Sequence, residues 1–239
     1  MCGHNKWSQI KRQKGINDSK RSKAFAKLSK LITLAARSGG DPEMNPTLKL
    51  AIEKAKQVNM PADNINKAIK KGTGDLAGES IEEVLYEAYG PEGTPLIIEA
   101  TTDNNNRTVS EVKHILSKNG GRLGESGSVK WMFDRFGYVE ITRDEKTDID
   151  AVEMTAIEAG AEDVNVLEPV IVIYTKPENL YNMKNEIEKS GSEIFESGFE
   201  WKAKEKMKVG GELASKIEAL FEALDEQEDV NEVYSNLED

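Results

Sequence analysis

Apolar residues recur three and four apart through the first third of the chain and alternate two apart through much of the rest. Phe25, Leu28, Ile32 and Ala35 make one helical stripe. That spacing predicts a helix from Asp18 or Ser19, either of which can cap it, to about residue 37, where Ser38-Gly39-Gly40-Asp41-Pro42 ends it. Asn45-Pro46 reads as a cap followed by proline in the first helical position, and Leu48, Ala51, Ile52 and Ala55 carry a second buried stripe. Pro61 opens a third short helix with Ile65, Ala68 and Ile69, which Gly72 closes. Three helices under 20 residues each suit a small bundle.

The period changes after Gly72-Thr73-Gly74-Asp75-Leu76-Ala77-Gly78, the best linker candidate. Residues 83–89 and 95–102 read as strands around the turn Gly90-Pro91-Glu92-Gly93. A helix over about 107–118 carries Val109, Val112, Ile115 and Leu116, and 128–133 reads as a strand with Val129, Trp131 and Phe133 on one face. From residue 137 a second run begins: strand 137–143, helix 148–159, strands 163–167 and 170–175, helix 177–190, strand 192–202. That order, βαββαβ, is the ferredoxin-like pattern. The tail adds a helix with Leu213, Ile217, Leu220, Phe221 and Leu224 and a short strand near 230–234. This pair has no partner nearby in sequence, so it is expected to return to the strands of 79–133. The predicted fold class is α+β and multidomain. A three-helix domain (1–75) precedes two α+β domains, one discontinuous (76–134 with 206–239) and one ferredoxin-like and inserted in it (135–205).

Charge divides the chain at the same place. The 239 residues carry a net charge of −11, which by itself argues against nucleic-acid binding. Residues 1–71, however, are net +11 and the remainder net −22. Residues 1–37 hold ten cations against the single acid Asp18. Apolar runs are too short for the roughly 20 residues of a membrane span, and the basic start has no apolar core of a secretory signal. A mitochondrial transit peptide fits the basic start less well than a binding segment does. Cys2 is the only cysteine, which excludes an internal disulfide and points to a reducing cytoplasm.

Phosphates are met by cations presented in rows, and a ring beside them stacks on unpaired bases. Lys6, Trp7, Lys11, Arg12, Lys14, Lys20, Arg21, Lys23, Lys27 and Lys30 supply that pattern. A solvated cationic helix face explains the helix but not the near absence of acids. DNA and RNA stand equal on these grounds. Gly120-Gly121-Arg122-Leu123-Gly124-Glu125-Ser126-Gly127 looks like a phosphate loop, but a helix precedes it and a strand follows, the reverse of the order that aims helix amides at phosphate. It reads as a helix cap and tight turn. Catalytic candidates are thin. His4 lies in the basic leader, His114 lies opposite an apolar helix stripe, and Cys2 with His4 makes two ligands where structural zinc needs four. Asp225-Glu226-Gln227-Glu228-Asp229 reads as a solvated turn. Thr101-Thr102-Asp103-Asn104-Asn105-Asn106-Arg107-Thr108 follows a strand and starts a helix; capping is the favoured role, with binding through amides and Arg107 open.

Gly3-His4-Asn5-Lys6-Trp7, Ala35-Ala36-Arg37-Ser38-Gly39-Gly40-Asp41-Pro42, Asn59-Met60-Pro61-Ala62-Asp63-Asn64-Ile65, Thr102-Asp103-Asn104-Asn105-Asn106-Arg107-Thr108 and Gly124-Glu125-Ser126-Gly127-Ser128-Val129 closely resemble the motifs of the YebC family. The resemblance is dense from about residue 3 to 140. It implies three domains, the middle one completed by the C-terminus, in a cytoplasmic protein described as a probable DNA-binding transcriptional regulator. Its mitochondrial relatives act as translational activators, which implies RNA or the ribosome. Three positions depart from the pattern: Ala88 replaces a usual glycine, Glu92 enters a usually neutral turn, and Asn105 replaces a common arginine.

The expectation is a non-enzymatic regulator whose basic residues, from Lys6 to Lys30, neutralise phosphate. DNA is the expected partner, rRNA or mRNA on the ribosome the alternative, and the acidic α+β domains are left for a protein partner. No membrane, small-molecule substrate, metal or cofactor is implied. A hydrolase using paired carboxylates is a third reading.

Overall fold

The computed structural model describes residues 18–77, 80–144 and 147–238. They divide into two compact units, one spanning Phe133–Lys204 and the other drawn from residues 18–132 with Glu205–Glu238.

The larger unit begins with α1 (Asp18–Ala36), α2 (Pro46–Gln57) and α3 (Ala62–Thr73). Ile32, Leu48, Ala55 and Ala68 are buried between them, with Phe25, Leu28 and Ile69 packed around. Asn45 joins two helix ends. Its Oδ1 accepts from Leu48 N at 3.1 Å, capping α2, and its Nδ2 donates to Ala35 O at 2.8 Å and Gly39 O at 2.7 Å, closing α1. Gly72 does not close α3. The helix runs one residue further, and Gly74, with φ +86°, is its left-handed cap. Gly72 instead lets α3 cross α1: a Cβ there would lie 2.2 Å from Thr33 O and 2.6 Å from Ala36 Cβ.

A four-stranded antiparallel sheet follows, ordered β3-β1-β2-β8. It comprises β1 (Glu82–Tyr89), β2 (Pro95–Thr102), β3 (Arg122–Leu123) and β8 (Val230–Ser235). The tail strand does return: β8 runs antiparallel to β2, from Leu96 opposite Ser235 to Ala100 opposite Val230. Helices α4 (Asn105–Lys118) and α7 (Gly211–Asp225) complete this layer and bury Val112, Leu116, Ile217, Leu220 and Leu224.

The expected strand over 128–133 is not formed. Lys130–Met132 is a single 3-10 turn, and the strand starts at Phe133. Val129 and Phe133 are buried while Trp131 is 64% exposed, so the three do not share a face.

The smaller unit contains β4 (Phe133–Thr142), α5 (Ile149–Glu158), β5 (Ala161–Val166), β6 (Val170–Thr175), α6 (Leu180–Lys189) and β7 (Ile194–Ala203). Its sheet is antiparallel with order β5-β6-β4-β7. Ile141, Ile171, Ile173, Leu180 and Met183 are fully buried there. The described residues thus form an α+β protein with seven α-helices and two antiparallel sheets.

Candidate functional site

Lys23, Lys27 and Lys30 are spaced four and three apart, which puts them on one side of α1. That side is not solvated. Lys23 Nζ donates to Glu226 O at 3.0 Å, and Lys27 Nζ donates to Asp225 O at 2.6 Å with the Asp225 carboxylate 3.5 Å away. Lys30 Nζ donates to the Asp229 carboxylate. The Lys23 and Lys27 ammonium groups therefore meet the C-terminal end of α7, where unpaired carbonyls and the helix dipole concentrate negative charge, and Lys30 meets the turn after it. The acidic run 225–229, expected to be a solvated turn, is the counter-surface of α1.

Asp229 is its centre. Its carboxylate is 1% exposed and accepts from Lys30, from Thr108 Oγ1 at 2.7 Å and from Arg107 Nη2 at 3.0 Å. Its backbone carbonyl takes Thr101 N–H at 2.8 Å, and Gln227 Oε1 accepts from the Asp229 and Val230 amides at 2.6 and 2.8 Å. Burial pushes the carboxyl pKa up, but the hydrogen bonds from Lys30, Thr108 and Arg107 outweigh it and hold the group at about 2. Arg107 is held in its charged form by the hydrogen bond to Asp229 and the charge there, and it also reaches Asp103 Oδ1 at 2.7 Å.

The 102–108 motif now has a defined role. Asn104 Oδ1 accepts from Arg107 N at 3.2 Å and caps α4, as expected. Arg107 and Thr108 then bind Asp229 rather than an outside ligand. Asn105, which stands where the family resemblance leads one to expect arginine, accepts from Tyr86 Oη at 2.8 Å. Burial, followed by the charges of Asp229 and Glu82, pushes the Tyr86 phenol up to about 12.

The glycine-rich loop is organised around a second internal anion. Buried Glu87 on β1 accepts from the amides of Gly127 and Val129 at 2.6 Å each and from Lys130 N at 2.7 Å. Burial works against its charge, but these three amides prevail and keep its pKa low. Loop amides that resemble a phosphate cradle are thus occupied by the protein's own carboxylate. The same capture bends residues 127–130 and prevents the strand expected there. Gly120, at φ +76°, follows the Asn119 cap of α4, in line with the cap-and-turn reading.

The other candidate residues fall elsewhere. Lys6, Trp7, Lys11, Arg12 and Lys14 lie outside the described residues, as do Cys2 and His4. Lys20 belongs to the first turn of α1, and Arg21 is exposed. His114 is exposed on α4. Among the described residues no three metal-ligating side chains converge, and no helix is long and apolar enough to cross a membrane.

A cleft of about 270 Å³ opens between α1 and α3, lined by Phe25, Ala26, Ser29, Met60, Asn64, Lys67, Ala68 and Lys71. Lys67 and Lys71 are exposed, four residues apart on α3. In the sequence they are two cations among many in the basic segment 1–71. The legible signal was their helical spacing with Asn64, which places all three on one face.

Family models match nearly the whole chain: the TACO1/YebC protein N-terminal domain over residues 5–75 and the TACO1/YebC second and third domain over 81–237. Proteins of Fervidobacterium nodosum (50% identical) and Pseudothermotoga lettingae (48% identical) align over all 239 residues and over 94% of their own length. Both are named probable transcriptional regulatory proteins. The crystal structure of a conserved hypothetical protein from Aquifex aeolicus is 46% identical, covers 98% of this chain and 97% of its own, and superimposes with a TM-score of 0.87. Identity this high along the full chain, with family models matching residues 5–75 and 81–237, places the chain in the TACO1/YebC family.

Proposed function

We propose that this protein is a non-enzymatic, cytoplasmic regulator of gene expression that binds DNA through its basic N-terminal helical domain. The observation that carries the reading is the charge division: net +11 over residues 1–71 in a chain that is otherwise net −22. The regulatory names of its relatives support it. Leader cations Lys6, Lys11, Arg12 and Lys14, with Lys20 and Arg21, neutralise phosphates, and Trp7 stacks or anchors. Among the described residues no helix offers a row of base-reading Asn, Gln and Arg side chains, so sequence discrimination is modest. The acidic body is repelled by the same polymer, which orients the molecule and leaves the α+β domains for protein partners. The strand order of residues 133–204 supports reading that run as a ferredoxin-like unit inserted between 76–134 and 206–239.

The second reading is a translational activator on ribosomal or messenger RNA. The resemblance to mitochondrial translational activators favours it, as does Trp7 beside the leader cations. Crosslinking in cells followed by sequencing of bound DNA and RNA tests both. Recovery of promoter DNA supports the first, and recovery of rRNA with co-sedimentation on ribosomes supports the second. If about six phosphates are engaged, affinity falls roughly 10³–10⁵-fold between 50 and 200 mM salt. A salt-insensitive affinity overturns both readings.

A further inference from the structure

We propose that the cleft between α1 and α3 seats an unpaired nucleotide of a single-stranded nucleic acid, with Phe25 as its stacking ring and Lys67 and Lys71 on its phosphates. The inference rests on the nucleic-acid reading above and names the class of polymer and the seat for it.

Two observations lead there. The stripe on α1 that sequence reasoning assigned to phosphate is already engaged, since Lys23, Lys27 and Lys30 donate to the end of α7 and the turn after it. A polymer that used them would have to displace an internal counter-surface centred on a carboxylate that is 1% exposed. Lys67 and Lys71, by contrast, are exposed and stand about 6 Å apart along the α3 axis, on the same rim of one cleft. The chemistry below the rim suits a base. Half-buried Phe25 and buried Met60 and Ala68 give an apolar floor, and Ser29 and Asn64 offer hydrogen-bonding groups to a base edge. About 270 Å³ is small for a ligand site and takes a single base, not a duplex. A paired base reaches such a site only after it is flipped out of its stack, so the cleft favours unpaired polymer.

The test uses the full chain, a fluorescein-labelled 12-nucleotide single-stranded RNA and its duplex, with anisotropy read between 50 and 200 mM salt. The double change Lys67→Gln/Lys71→Gln is expected to weaken single-strand binding at least tenfold and to reduce the salt slope by about 0.7 for each lysine. Phe25→Leu is expected to weaken the single strand roughly tenfold and the duplex much less. Lys23→Gln is expected to leave the slope unchanged. Unchanged binding by the double lysine variant, which leaves the core intact, overturns the site even if Phe25→Leu proves unstable. So does a loss of slope on Lys23→Gln equal to that of the lysine pair. Displacement of the RNA by a Glu/Phe peptide as effectively as by unlabelled RNA overturns it in favour of an acidic protein partner. A wild-type chain that binds neither polymer overturns this site, and failure to bind a DNA duplex of the same sequence as well overturns the nucleic-acid reading, whereas wild-type binding with an unaffected double variant removes the site alone.

Discussion

Asp229 shows how one residue can be mistaken for surface. In sequence it sits in an acidic run that reads as solvated; in the structure Lys30, Arg107 and Thr108 surround it. None of these lies within 100 positions of it, so no local pattern could have announced the node. Asp229→Asn keeps the size but leaves Lys30 without its counter-charge, and the expected cost is about 3 kcal/mol in urea unfolding. Glu87→Gln cannot accept three amides with the same strength; the expected loss is about 2 kcal/mol, read as a lowered melting temperature. The pH dependence has a defined sign. Both carboxyls are held below their ordinary values, so the unfolded chain binds their protons more readily. Their stabilisation is fully present above about pH 5 and fades as pH falls toward the folded values, about 2 for Asp229. Acid unfolding followed by circular dichroism should show this loss, and Asp229→Asn should remove part of it.

At the scale of elements, local signals were strong where local chemistry decides. The Asn45-Pro46 start of α2, the Asn104 cap of α4 and the stripes of α1 to α3 were legible because caps and periodicity act within a turn or two. Glycine at a helix end usually marks a stop, but Gly72 is the contact point of two helices. Gly72→Ala should therefore cost about 2–3 kcal/mol, more than its effect on helix propensity, which by itself would favour alanine; thermal melts of the full chain check the sign. The strand expected over 128–133 failed for a related reason. Alternation of Val129, Trp131 and Phe133 promised a strand, but Glu87, some 40 positions earlier, captures the amides a strand would need. An element forms only where its backbone donors are not claimed by something stronger.

At the scale of the whole molecule, the tail ties to residues far upstream. Strand β8 pairs with β2, and the turn before it holds α1. Deleting residues 205–239 should therefore expose the edge of β2 and abolish amide protection in 82–102, while residues 133–204 expressed alone should keep a cooperative melt, because β4 to β7 pair with one another in one sheet. Hydrogen exchange on the truncated chain and circular dichroism on the isolated unit give the two readouts. Changing Lys20, Lys23, Lys27 and Lys30 together to Gln should lower stability as well as any affinity for polyanions, since three of the four donate to the end of α7 and the turn after it. The sequence by itself determined the helices, most strands, the family and the place where charge and periodicity change together, because propensity, capping and net charge are properties of neighbouring residues. It showed that residues 1–71 are basic, and could not show which of those cations face solvent. Only the tertiary structure decided that, by bringing the end of α7 and Asp229 against the α1 lysines while leaving Lys67 and Lys71 on an open rim. A charge is available to a partner only if no opposite charge from a distant segment has been folded against it, and that is settled by long-range packing.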